Sequence, residues 1–186
     1  MANWYDIVHL DRMQVLTGSY SDPNTTWTSA VTDTTLDTIV LGPDFGDDAG
    51  RILEPDSVSG TTVTLAGDYS DGEVVIGRSY TKSVELTRPY YRGREGIADL
   101  FAELHLRRIV VNYHNTGALS LRRSMDGRAT DRVDDIDVDP IDRRGTLVSN
   151  INGNAEQARF FIENYSPKPS TVTAIQYEFD HTSRRS

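Results

Sequence analysis

The amino-acid sequence predicts an all-β protein, built of antiparallel β-sandwich or barrel-like modules with at most one short helix. Three observations carry that expectation. Threonines crowd one stretch of the first half: Thr25, Thr26, Thr28, Thr32, Thr34, Thr35 and Thr38. β-Branched side chains lose freedom in helices and pack well on pleated surfaces. Turn chemistry recurs at short intervals, at Ser21-Asp22-Pro23-Asn24, Gly42-Pro43-Asp44, Asp48-Ala49-Gly50, Val58-Ser59-Gly60, Ala66-Gly67-Asp68 and Ser70-Asp71-Gly72, as many short strands require. The segments between these turns are short, and several alternate apolar with polar residues.

Taken in order, residues 5–12 read as a first strand and 37–41 as a short buried one. Residues 61–65 alternate Val63 and Leu65 against Thr62 and Thr64, the period of a half-buried strand. Gly72 opens a strand over 73–76, and another follows over 80–86. The strongest strand is 104–113, with Leu104, Leu106, Arg108 and Val110 on one face and His105, Arg107, Ile109, Val111 and Tyr113 on the other. Asn115-Thr116-Gly117 predicts a hairpin turn with glycine in the left-handed position, and 118–123 its return strand. Residues 158–164 and 170–179 read as a closing pair joined by Ser166-Pro167-Lys168-Pro169. One stretch suits a helix as well as an irregular lead into the next strand: Ile97, Leu100, Phe101 and Leu104 have i, i+3, i+4, i+7 spacing. Residues 126–142 are the most polar segment, and a long exposed polar loop over 126–154 is expected. The expected organisation is an N-terminal β module over 1–88 and a C-terminal one over 89–186, or one continuous domain.

At 186 residues the chain can bury a core without disulfides or metals, and it holds no cysteine, which removes thiolate metal sites and cysteine nucleophiles together. The formal charge is −9, with −8 in residues 1–93 and −1 in residues 94–186. An acidic chain repels phosphate backbones, so broad binding to nucleic acid or anionic membranes is not expected. The first residues lack the basic and apolar regions of a leader, and no apolar stretch is long enough to span a bilayer.

Candidate chemistry is sparse. The run Asp131, Asp134, Asp135, Asp137, Asp139 and Asp142 invites a calcium reading. A calcium loop started at Asp135 places Pro140 where glycine is needed and Thr146 where glutamate is needed. A solvated segment, ion-paired with Arg128, Arg132, Arg143 and Arg144, is expected, and an irregular cation site across Asp134–Asp139 stays open. His9, His105, His114 and His181 lack metal-ligand spacing. His105 and His114 stand at opposite ends of one strand, roughly 30 Å apart. Ser79 and Ser124 follow arginines with no base recognisable nearby, and there is no Gly-x-Ser-x-Gly elbow. Gly93-Arg94-Glu95-Gly96 lacks the lysine of a phosphate loop. No catalytic, cofactor-binding or metal residues are therefore assigned, and no cofactor is expected. Trp4, Trp27, Tyr90, Tyr91, Tyr113 and Tyr165 could serve a core, a protein interface or sugar stacking.

Several blocks are familiar in their order. Thr61-Thr62-Val63-Thr64-Leu65 is followed by Gly67-Asp68-Tyr69-Ser70 and Val74-Val75-Ile76-Gly77-Arg78-Ser79-Tyr80. Later come Leu106 to Gly117, ending Tyr113-His114-Asn115-Thr116-Gly117, and a Ser-Pro-x-Pro link before the last strand. From about Thr61 onward this order resembles the tail tubular protein B, or nozzle, family of short-tailed bacteriophages, and His9-Leu10-Asp11 resembles the strand that opens the corresponding region. Family chains are longer, with further β modules ahead of that region. The resemblance implies a structural virion component of the tail, assembled in the host cytoplasm, with no active site. It implies a homo-oligomeric ring, a hexamer, below the portal, contacting the adaptor, further nozzle chains and tail fibres, through which DNA passes without sequence recognition. A different class stays open beside it: a carbohydrate-binding β-sandwich for host attachment, using Trp27 or Tyr90 and Tyr91. A glycan-degrading enzyme would need two placed carboxylates, and none of the 28 acids is singled out.

Overall fold

The computed structural model describes residues 8–92, 98–99, 103–125 and 131–182. Every strand pair in it is antiparallel, and the protein is all-β. The one helical element among the described residues is a 3-10 helix, Pro43–Asp48. The chain divides into two compact units, Met1–Tyr80 with Ser166–Lys168 and Thr81–Tyr165 with Pro169–Ser186.

The first unit contains β1 (Asp11–Thr17), β2 (Ser19–Ser21), β3 (Asn24–Thr28), β4 (Thr38–Leu41), β5 (Ile52–Leu53), β6 (Ser57–Ser59), β7 (Thr62–Ala66) and β8 (Glu73–Arg78). They form two four-stranded sheets, ordered β1-β8-β4-β5 and β2-β3-β7-β6. Alternation in β3 and β7 sends Trp27, Val63 and Leu65 inward, where they meet Ile39, Leu41, Val74 and Ile76 from the other sheet. β4 and β8 are apolar along nearly their whole length because both faces are covered. Val40 and Val75, on the far face, pack with Leu10 and are flanked by Val8 and Val15. Thr25, fully buried, donates its hydroxyl to Gly67 O and accepts the Tyr69 N–H, fixing that turn beside Trp27. The first strand is shifted from the expected 5–12 to 11–17; residues 5–7 lie outside the described residues. A bulge sets Arg12 and Met13 against Gly77, and Arg12 takes a φ of 52°.

The second unit contains β9 (Lys82–Glu85), β10 (Tyr91–Arg92), β11 (Ala98–Asp99), β12 (Glu103–Met125), β13 (Asp131–Asn154), β14 (Ala158–Asn164) and β15 (Thr171–Thr182). β12 is its axis. One edge pairs with β13 over almost its full length. The other pairs with β15 through residues 103–114 and with β14 through residues 120–125, and β14 in turn pairs with β9. The long ribbon doubles over on itself. Ser149 Oγ donates to Asp134 Oδ2 at 3.3 Å. Yet their partners on β12, Ile109 and Leu121, would be about 40 Å apart on a straight strand. Two layers result, sharing one core of Leu104, Leu106, Ile109, Val111 and Tyr113 against Leu119, Leu121 and Phe160. Strands that turn a corner from one layer to the next are a known solution for β-sandwiches.

Four expectations are corrected. Asn115-Thr116-Gly117 is no hairpin: Asn115 takes the left-handed conformation (φ 47°), Gly117 does not, and the strand bends and continues. Thr116 Oγ1 holds that bend to β15 by accepting the Thr171 N–H at 3.1 Å. Residues 131–154 are strand rather than exposed loop, because Val133, Ile136, Leu147 and Ile151 reach the core; residues 126–130 lie outside the described residues. β14 and β15 do not pair with each other; each takes a different stretch of β12. The expected faces of 104–113 change sides midway. A bulge at Arg107 leaves two adjacent residues outward and puts Ile109, Val111 and Tyr113 on the same buried face as Leu104 and Leu106. Of the helical alternative, Ile97, Leu100 and Phe101 lie outside the described residues, and Leu104 is in β12.

Candidate functional site

The acidic run stands on β13, where the pleat sets Asp134 on one face and Asp135 and Asp137 on the other. Asp134 turns inward to Ser149, and its other oxygen accepts the Asp135 N–H. Asp131, Asp135 and Asp137 are exposed. The side chains of Asp139 and Asp142 lie outside the described residues. Among the described residues no three His, Asp or Glu side chains are grouped to hold a metal ion. Asp134 and Asp135 point to opposite faces, and Asp135 and Asp137, though on one face, stand about 7 Å apart along an extended strand, whereas a calcium loop must converge its ligands.

Ion pairs cross neighbouring strands instead. Arg107 meets Asp180 at 2.6 Å and Arg108 meets Glu178 at 2.5 Å, tying β12 to β15 beside the bulge. Arg122 and Glu163 lie 2.9 Å apart between β12 and β14. Arg159 forks onto both oxygens of Glu85, tying β14 to β9 and holding the Glu85 carboxyl below its ordinary range. The exposed pairs of Arg107, Arg108 and Arg159 contribute about 0–1 kcal/mol each. They fix register more than they add stability.

The histidines stay apart. His9 donates its backbone N–H to Pro167 O at 2.8 Å. His105 and His114 are exposed, at the two ends of the first half of β12. His181 stacks on Tyr91 with ring centroids 3.9 Å apart. Trp27 is corrected as a sugar platform: it is fully buried, beside Tyr69, whose ring packs in turn on Phe45. Tyr113 is also buried. Tyr90 is 54% exposed, and Tyr165 is exposed as well. Trp4 and Gly93–Gly96 lie outside the described residues.

One contact had no local signal in the sequence. Ser79 donates its hydroxyl to Asp37 Oδ2 at 2.8 Å and its N–H to Oδ1 at 2.7 Å. Burial works to raise the Asp37 pKa, but these bonds and one from Thr38 outweigh it and the net shift is downward. A carboxylate so engaged is a weak base, and the contact closes β4 against β8. Pairing of Thr38 with Gly77 is what brings the two residues together across 42 positions.

What the second unit does present is strand edge. In the order β13-β12-β14-β9 the terminal strands are β13 and β9. Val84, in β9, is 63% exposed, more than any other large apolar side chain among the described residues. Such edges are templates for pairing with a further chain. A family model described as bacteriophage nozzle protein matches residues 5–186, nearly the whole chain. No curated protein matches it.

Proposed function

The chain belongs to the bacteriophage nozzle protein family, which makes it a structural component of the virion tail, and from that premise we propose that it forms part of the conduit through which DNA leaves the particle. It acts by assembly, without catalysis, as a homo-oligomeric ring of sixfold symmetry. Its neighbours are other tail proteins: the adaptor, further nozzle chains and tail fibres. It is assembled in the host cytoplasm.

The observation that carries this reading is a family match running through both units. The surface is compatible with it. A net charge of −9 gives DNA no reason to adhere to the wall it passes. The carbohydrate-binding alternative is left with Tyr90 as its exposed aromatic, since Trp27 is core and Tyr91 is stacked on His181. Electron microscopy of particles isolated with the tagged chain is the test. Ring density of sixfold symmetry at the tail, around an axial channel, is expected. A chain absent from every particle overturns the proposal, and a saturable fluorescence change with host polysaccharide, lost in Tyr90→Ala, would replace it.

A further inference from the structure

We propose that Asn152 is a site of covalent self-modification, where the folded chain deamidates through a succinimide and so loosens its second unit with age.

The reaction needs the backbone nitrogen of the following residue to reach the asparagine Cγ, and a side chain on that residue obstructs the approach. Asn152-Gly153 is the one Asn-Gly pair in the sequence. Asn24 and Asn115 precede threonines and Asn150 precedes Ile151, β-branched residues that crowd the nitrogen. Asn112 and Asn154 use Oδ1 to accept the Thr146 hydroxyl and the Glu156 N–H. Asn164 is buried, and its Nδ2 donates to Ser170. Asn152 is exposed, and no hydrogen bond holds its side chain among the described residues.

The backbone there is interrupted. Asn152 takes a left-handed φ of 48°. It stands between the pairs Leu106–Gly153 and Arg108–Asn150, where the register shifts and leaves it out of the ladder. Gly153 itself pairs with Leu106, so its nitrogen is released only when that pair opens. β13 is a terminal strand, and local openings at such places cost far less than global unfolding. A Cβ on Gly153 would meet nothing within 4 Å, which leaves room for the ring to close.

In the opened state Gly153 N bonds to Asn152 Cγ. The Cγ–Nδ2 bond breaks, and the proton from Gly153 N passes through solvent to the departing ammonia. Water then opens the ring. Attack at the side-chain carbonyl gives aspartate, and attack at the backbone carbonyl gives isoaspartate. Either product adds one negative charge. Isoaspartate also lengthens the main chain by a methylene between Ile151, buried in the core, and the Gly153–Leu106 pair. One of those two contacts must then shift.

Full-length chain held at mildly alkaline pH, folded or in guanidinium chloride, is digested and sequenced by mass spectrometry. The mass gain of an amide turned to acid is expected first at Asn152, mostly as isoaspartate, and more slowly in the folded chain. Gly153→Ala should slow it about tenfold, since the methyl crowds the nitrogen and restricts the backbone. Chain enriched in isoaspartate should melt at a lower temperature, whereas Asn152→Asp, which adds the charge without the methylene, should not. Conversion in denaturant alone would mean that the ladder pins Gly153, and overturns the proposal. Conversion first at another asparagine, or at an equal rate in Gly153→Ala, also overturns it. An unchanged melting temperature in the isoaspartate chain overturns the loosening.

Discussion

Gly77 ends the Val74-Val75-Ile76-Gly77 block, and its missing side chain is what the bulge in β1 needs. A Cβ at that position would lie 2.7 Å from Leu10 Cβ and 2.9 Å from the carbonyl oxygen of Asp11. The second obstacle is backbone and cannot swing away. At Gly145 the obstacle is a ring: a Cβ would fall 2.3 Å from Tyr113 Cζ, directly across the strand pair. Overpacking of this kind costs about 1–3 kcal/mol. Gly77→Ala and Gly145→Ala should both lower the melting temperature, while Gly153→Ala, with open space around it, should hardly change it. Asp33 is an acid-sensitive residue of the first unit, as Asp37 is, and the more strongly shifted of the two. A hydroxyl bond from Thr35, then the Thr35 N–H, then the Arg12 guanidinium draw its carboxyl from 3.8 down to about 2. A depressed carboxylate stabilises the fold fully above its unfolded pKa of about 3.9, and that contribution fades as pH falls through its folded value. The melting temperature of Asp33→Asn should therefore lie below that of the native chain at neutral pH. The two should converge between about pH 4 and pH 2.

At the scale of elements, β12 decides the second unit. Its bulge at Arg107 is a phase correction: Leu104 and Leu106 are in step with Ile109, Val111 and Tyr113 only because one residue is left out of the ladder. Deleting Arg107 should leave a folded protein with cooperative melting, since all five side chains keep the same face. Deleting Val110 should abolish folding, because Val111 and Tyr113 turn outward. Leu121→Ala, at a fully buried site, should cost about 2–5 kcal/mol in denaturant unfolding. The same element explains what the sequence concealed. Strands β4, β7, β8 and β14 are legible because each is short, apolar or alternating, and bounded by turns. Asn115-Thr116-Gly117 carries the chemistry of a hairpin yet makes a corner, since a left-handed residue serves either. The aspartates of β13 look like a loop because Asp131, Asp135 and Asp137 are outward and charged, and only sparse residues such as Val133 and Ile136 mark an inner face. Ser79 with Asp37, and Trp27 as core rather than platform, depend on pairings between distant strands that no local pattern encodes.

For the whole molecule, the all-β class was readable from composition and turn spacing, and the tail role through the family resemblance that the order of short blocks carries. The family match extends that likeness beyond Thr61 to residue 5. The charge of −9 carries its own expectation. Purified chain should show no measurable affinity for duplex DNA at physiological salt, by fluorescence anisotropy, because it has no excess of cations to displace the counterions around the duplex. Saturable binding there would contradict a wall along which DNA slides.

The continuity of β12 has a mechanical meaning. A single strand of 23 residues runs through both layers, flanked by β13 along almost its whole length and by β15 and β14 in turn. A pull along either half of it must shear the backbone hydrogen bonds of that half together, whereas a pull across a hairpin end would peel them one at a time. Forced unfolding is governed by the barrier to rupture rather than by equilibrium stability. A fold built this way can be of ordinary thermodynamic stability and still resist tension applied along either half of that strand.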